Sequence, residues 1–241
     1  MAKIPKKPEE IFPEFTDDYR QVFGESLLSI ILYGSGSGDD YRPGKSDLNF
    51  LVILDDAGMG MLARAIPIAK KWKARKVAAP LFLTRGDLNS SLDSYPVEFL
   101  NMKNRYRLVY GEDVFQKLSF NPLAVRLQIE RELKGKLFLL RKSYVEAEGS
   151  KAALRHLIEK SLTAFTALFG ALLYLKGREV PILRRDVIKA MAWAFPIEPE
   201  VFLQCADIRE GKGDYDVSQM NGLVNSCMRE INKLCELVDQ M

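Results

Sequence analysis

Residues 27–33, Leu-Leu-Ser-Ile-Ile-Leu-Tyr, run straight into Gly34-Ser35-Gly36-Ser37-Gly38, and after a polar stretch a second apolar run follows, Phe50-Leu51-Val52-Ile53-Leu54. No other feature of the chain constrains the fold as tightly. The first run is short, rich in Ile and Leu, and ends at glycine, so it reads as a buried strand. The loop has little side-chain bulk, so its backbone N–H groups can approach a phosphate closely. Ser35 and Ser37 add hydroxyl donors to the same concavity. Asp47 and Asn49 open the second strand, read as 47–54. Side chains two apart on a strand point to one face, with Cα atoms about 6.8 Å apart. Such a pair can share a metal site, and Mg²⁺ is commonly held by one or two carboxylates together with substrate phosphates. A Gly/Ser loop alone reads as a turn. A loop between two buried strands, followed by this pair, reads as a phosphoryl-transfer site.

At these residues the chain resembles the polymerase-beta-like nucleotidyltransferases, and among them the antibiotic-modifying (kanamycin-type) and minimal enzymes. Their motif is an apolar strand, Gly-Ser, a variable loop, then Asp-apolar-Asp/Glu on the next strand. Here Gly34-Ser35 is followed by eleven residues and then Asp47-Leu48-Asn49. The resemblance extends over roughly Ile11 to Leu118, including Leu108-Val109-Tyr110-Gly111-Glu112-Asp113. It implies a nucleoside triphosphate bound by Gly34 and Ser35, with Ser37 assisting. It also implies Mg²⁺ (or Mn²⁺) held by acids on the strands, and transfer of a nucleoside monophosphate to an acceptor with loss of pyrophosphate. The catalytic and metal-binding residues under this reading are Asp47, Asn49 and Glu98. The departure is Asn49, where the family carries a second carboxylate. Asn offers a neutral oxygen, a weaker ligand for a hard dication. An alternative therefore stands beside the enzyme: a catalytically degenerate module of the same fold that binds a nucleotide or a protein partner.

Around this centre the chain reads in order. Residues 1–10 form a loose basic leader, and a helix starts near Thr16, capped by its hydroxyl. Arg42 and Lys45 lie in the loop before Asp47, where they can touch a triphosphate or stand as solvated charges. A helix is expected over 59–76, kinked or split at Pro67, then a strand over 80–84 and a polar turn or short helix to Pro96. A fourth strand is expected over 97–102. Glu98 lies there between Val97 and Phe99, and a charge in an apolar strand needs a partner or a metal. Glu98 is the best match to the family's third carboxylate, with Asp93 as the fallback. Residues 105–109 can form a further strand. Asn121-Pro122 marks a boundary, because Pro suits the first position of a helix. Beyond it the chain reads as amphipathic helices broken at Gly149-Ser150, Gly177, Pro196 and Gly211-Lys212-Gly213. The expected fold is α+β: a nucleotidyltransferase-like mixed sheet with flanking helices over residues 1–120, then an antiparallel helical bundle over 121–241.

Composition narrows the partners. A net charge of +3 over 241 residues offers no broad surface for a polyanion. The reading is an NTP and a small-molecule acceptor rather than nucleic acid, with a homodimer left open. The apolar run 162–175 is shorter than a bilayer span and reads as a core helix, so no membrane is called for. No secretory signal is read at the start. The three cysteines form no Cys-x-x-Cys pair, which suits a reducing cytoplasm. The lone histidine, His156, has no nucleophile motif beside it and reads as a surface residue. Glu130 is a candidate general base, against the plainer reading of an ion pair with Lys134.

Overall fold

The computed structural model describes residues 3–38 and 41–241. The chain divides into two compact units, residues 1–120 and 121–241.

In the first unit a 3₁₀ turn over Pro8–Ile11 leads into helix α1 (Phe12–Phe23) and strand β1 (Leu27–Tyr33). Strand β2 (Asn49–Leu54), helices α2 (Asp56–Gly60) and α3 (Ile66–Lys73), and strand β3 (Leu81–Thr84) follow. Helices α4 (Arg85–Ser90) and α5 (Pro96–Asn104) then lead to strand β4 (Tyr106–Gly111). The strands lie in the order β3-β2-β1-β4. β1 is antiparallel to both β2 and β4, while β2 and β3 are parallel, their crossover supplied by α2 and α3. The two central strands are apolar without alternation because Ile30–Leu32 and Phe50–Leu54 are all 0% exposed, buried on both faces. α1 and α3 close one face. Phe15 stacks on Phe50 at 4.1 Å between centroids and meets Trp72 edge-on at 5.2 Å. The Trp72 indole N–H donates to Asp18 at 2.7 Å.

Four sequence expectations change here. The helix begins at Phe12, with Pro13 in its first turn, rather than near Thr16. The leader is docked: Tyr41 Oη donates to the Pro5 carbonyl at 2.8 Å, Arg75 Nε to that of Lys3 at 3.2 Å, and Arg107 pairs with Glu9. The helix expected over 59–76 divides into α2, a 3₁₀ turn over Leu62–Ala65, and α3, with Pro67 in the first turn of α3. Residues 97–102 are helical, within α5, and Glu98 stands in its first turn. Pro96 starts that helix instead of ending the previous one. Val97, Phe99 and Leu100 are buried, a helical face that over three residues passes for strand alternation. The fourth strand of the sheet is β4.

The second unit contains helices α6 (Pro122–Glu146), α7 (Lys151–Leu175), α8 (Arg184–Ala194), α9 (Pro199–Glu210) and α10 (Val217–Asp239). Their ends follow capping chemistry. Asn121 accepts from Leu123 N, Ser150 from Ala153 N, and Asp216 with Gln219 forms a reciprocal box. α7 packs against α6, α8, α9 and α10. By length and composition α7 could cross a membrane, being longer than the run 162–175 suggested, but half of its apolar window is buried inside this unit. The three cysteines are free and buried.

Candidate functional site

β1 passes into the loop at Gly34, whose φ of 74° is a left-handed conformation suited to glycine. Its N–H donates to the Arg105 carbonyl at 3.1 Å. A 3₁₀ turn over Gly34–Ser37 follows. This turn sits directly on the second strand's opening. A Cβ on Gly36 would stand 2.7 Å from Leu48 Cδ2 and 3.3 Å from Leu32 Cδ1. Tyr33 pairs with Asn49 across the sheet, so loop and Asp47-Leu48-Asn49 share one end of it. Leu48 is 0% exposed, and its two neighbours alternate away from it, Asp47 exposed and Asn49 half-buried.

The predicted residues fare differently. Gly34 and Ser35 lie half-buried in the loop. The Ser37 hydroxyl donates to the Gly34 carbonyl at 2.8 Å, so it fastens the turn instead of pointing outward as a phosphate donor. Arg42 and Lys45 are exposed on a turn in which Lys45 N and Ser46 N donate to the Arg42 carbonyl at 3.0 and 2.8 Å. Glu98 is exposed on α5, off the strand that its proposed role required. Asp93 is exposed in the turn after α4, accepting from the Ser94 hydroxyl at 2.9 Å. Glu130 accepts from Arg126 at 3.0 Å and Lys134 at 2.7 Å, the ion-paired arrangement. His156 is exposed on α7.

The fold brings cations to this end of the sheet that lie far from the loop in sequence. Lys76 Nζ stands 3.9 Å from Asp47 Oδ1. Its place is set by the backbone: Leu48 N donates to the Lys76 carbonyl at 2.9 Å, and Ala78 N to the Leu48 carbonyl at 3.0 Å. The segment lying beside the motif in the sheet is therefore Lys76-Val77-Ala78-Ala79, which carries no acid. In the sequence Lys76 ends a basic stretch, Lys70-Lys71-Trp72-Lys73-Ala74-Arg75-Lys76, and only parallel pairing brings it to Asp47. From β4, Arg107 Nε donates to the Ser37 carbonyl at 3.2 Å, and the Arg105 guanidinium lies beside Gly38. Two phenols flank the same end, Tyr33 and its strand partner Tyr106. Burial raises both pKa values, that of Tyr106 to about 12 with help from its hydrogen bond to Asp113. Both phenols stay neutral at neutral pH.

These residues fit one divalent cation and do not fit two. Asp47 with triphosphate oxygens meets the modest protein requirement of Mg²⁺, and Asn49 adds a neutral oxygen. Two dications a few ångströms apart need bridging carboxylate charge. Among the described residues no three His, Cys, Asp or Glu side chains come together as a metal cluster.

No family model and no curated protein matches the chain. Among solved structures it is similar to spectinomycin adenyltransferase AAD(9) from Enterococcus faecialis, determined with ATP and spectinomycin. The match has 15% identity and a TM-score of 0.51, and covers 92% of this chain and 99% of that one. The mixed four-stranded sheet with flanking helices, followed by a helical region, thus shares its fold with that adenyltransferase.

Proposed function

We propose that this protein is a nucleotidyltransferase that binds a nucleoside triphosphate on the Gly34–Gly38 loop and passes its nucleoside monophosphate to a small-molecule acceptor in the cytoplasm. The observation that carries the reading is the seating of the loop on Leu48, which brings a glycine-rich backbone of the kind that can cradle phosphate beside Asp47. Gly34 and Ser35 meet the phosphates, and Arg42 and Lys45 approach from the exposed turn. Asp47, with Asn49, would hold one Mg²⁺, which supplies charge neutralisation at the phosphates. An acceptor hydroxyl or amine attacks the α-phosphorus and pyrophosphate leaves. The protein's part is alignment of the two reactants and exclusion of competing geometries. The ATP and small antibiotic seen with the adenyltransferase support this pairing of substrates.

A second reading, a module that binds nucleotide without turnover, is favoured by Asn49 and by the Lys76 ammonium at Asp47. Calorimetric titration of a non-hydrolysable ATP analogue, with and without Mg²⁺, separates the readings. The enzyme reading expects Mg²⁺ to strengthen binding in the wild type but not in Asp47→Ala, and pyrophosphate release with a suitable small acceptor. Binding indifferent to Mg²⁺ and no pyrophosphate release across an acceptor panel would establish the second reading. No nucleotide binding at all would overturn both.

A further inference from the structure

Lys76 is placed with more care than a helix-end lysine needs. Among the described residues only two non-glycine residues have a positive φ, Glu148 and Lys76, the latter at 63°. A left-handed conformation is unfavourable for a residue with a Cβ. The chain adopts it here to turn from α3 into the segment that pairs with Leu48, through Lys76 O and the bridge from Leu48 to Val77. The result is an ammonium 3.9 Å from the only carboxylate of the motif, on side chains 45% and 60% exposed. An ion pair that open is worth little to stability. Both groups are open to solvent, and Asp47 adjoins Leu48, on which the loop is seated.

The charge count at the motif gives the lysine a task. Taking away one dication of a two-metal site together with the two carboxylates that hold it leaves the net charge the same, but it removes the cation that touched the phosphate oxygens directly. Here the second acid is Asn49 and the segment alongside offers Val77, Ala78 and Ala79. What remains is one carboxylate, room for one dication, and a triphosphate carrying several negative charges. We propose that the Lys76 ammonium binds the triphosphate directly, supplying as a side chain the positive charge that a second divalent ion would otherwise bring. Lys suits this as a compact point charge with three donors. The inference rests on the loop being the triphosphate site.

The test is titration of the non-hydrolysable ATP analogue into wild type, Lys76→Met, Lys76→Arg and Lys76→Gly, each in EDTA and in Mg²⁺. The wild type is expected to bind in EDTA and more tightly in Mg²⁺. Lys76→Met should weaken binding about tenfold or more in both buffers, the scale of one charge-assisted hydrogen bond. Lys76→Arg should retain most of the affinity. Lys76→Gly guards against a folding defect, because glycine is at ease at this φ. It should melt no lower than the wild type yet bind as weakly as Lys76→Met. A wild type that binds, with Met and Gly variants that bind equally well, overturns the role of Lys76 and leaves the loop reading standing. A wild type that binds no nucleotide in either buffer overturns the loop reading, and the lysine's role with it.

Discussion

Asn49 faces the Gly34 turn from the paired strand, and a Cβ on Gly34 would stand 4.0 Å from its Nδ2. Its side chain is therefore at the loop end of the sheet whatever its chemistry. Replacing it by Asp adds a carboxylate on the face that Asp47 occupies, where strand geometry lets the two act together. With the nucleotide analogue bound, Asn49→Asp should tighten Mg²⁺ about tenfold. Calorimetric Mg²⁺ titration reads this, and an unchanged affinity would show that Asn49 is native to the site and not a lost acid. Gly36 is a second sensitive position. A Cβ there must displace the Leu48 Cδ2 methyl and crowd Leu32, both residues being 0% exposed. Gly36→Ala should cost about 1–3 kcal/mol in urea unfolding, and a neutral result would mean that the turn can lift off the motif. The loop and Asp47-Leu48-Asn49 were legible in the sequence because each is a local pattern: glycine spacing, an apolar run, an acid at a fixed offset. Lys76 was not, because its nearness to Asp47 exists only once the segment after α3 pairs with Leu48.

The elements show the same division. β1 and β2 announce themselves by length and apolar character, and the helices of the second unit by their caps and periodicity. α5 does not, since Pro96 serves equally to stop one helix or begin another, and Val97-Glu98-Phe99 is too short to tell a period of two from one of 3.6. The attachment of α1 to α3 was also hidden. Besides the Glu14–Lys71 ion pair and the Phe15–Trp72 contact, it runs through Asp18, which accepts from the Trp72 indole and from Lys71, each at 2.7 Å. Trp72 is 1% exposed, so removing its acceptor strands a buried donor. Asp18→Ala should lose about 1–3 kcal/mol in urea unfolding, and Asp18→Asn, which keeps an oxygen, distinctly less. Equal losses would show that charge rather than the indole contact holds the two helices. α8 and α9 are joined by Arg185, which binds Asp207 and Glu210. Arg185 holds the Glu210 carboxyl down to about 2 from an ordinary 4.5, assisted by Lys212. A depressed carboxyl pKa stabilises the fold above its unfolded value and loses that contribution as protons bind. Urea midpoints should thus fall between pH 4.5 and 2, and Glu210→Gln should flatten that slope. An identical slope in the variant would assign the acid loss to other carboxylates.

At the scale of the whole molecule the chain is two units of ordinary domain size, each with its own core. Phe15, Phe50 and Trp72 anchor the first, and Phe165, Phe169, Phe202 and Ile231 the second. The division falls between Phe120, which is 7% exposed, and Asn121, which accepts from Leu123 N to start α6. A cut at that bond leaves the buried phenylalanine with one fragment and the cap with the other. Each fragment retains a core large enough for a domain that folds alone. Fragments 1–120 and 121–241 should therefore each unfold cooperatively in denaturant, followed by circular dichroism. A fragment that melts without a transition and binds a hydrophobic dye would show that its core needs the other half. The residues proposed for the nucleotide and its Mg²⁺, Gly34, Ser35, Arg42, Lys45, Asp47, Asn49 and Lys76, all belong to the first fragment. That fragment should then bind the nucleotide analogue within about threefold of the full chain, a difference of under 1 kcal/mol. If a cooperatively folded 1–120 fragment bound far more weakly, the helical unit would have to supply part of the nucleotide contact. If it bound as well but released no pyrophosphate with an acceptor that the full chain uses, the helical unit would be where the acceptor is chosen.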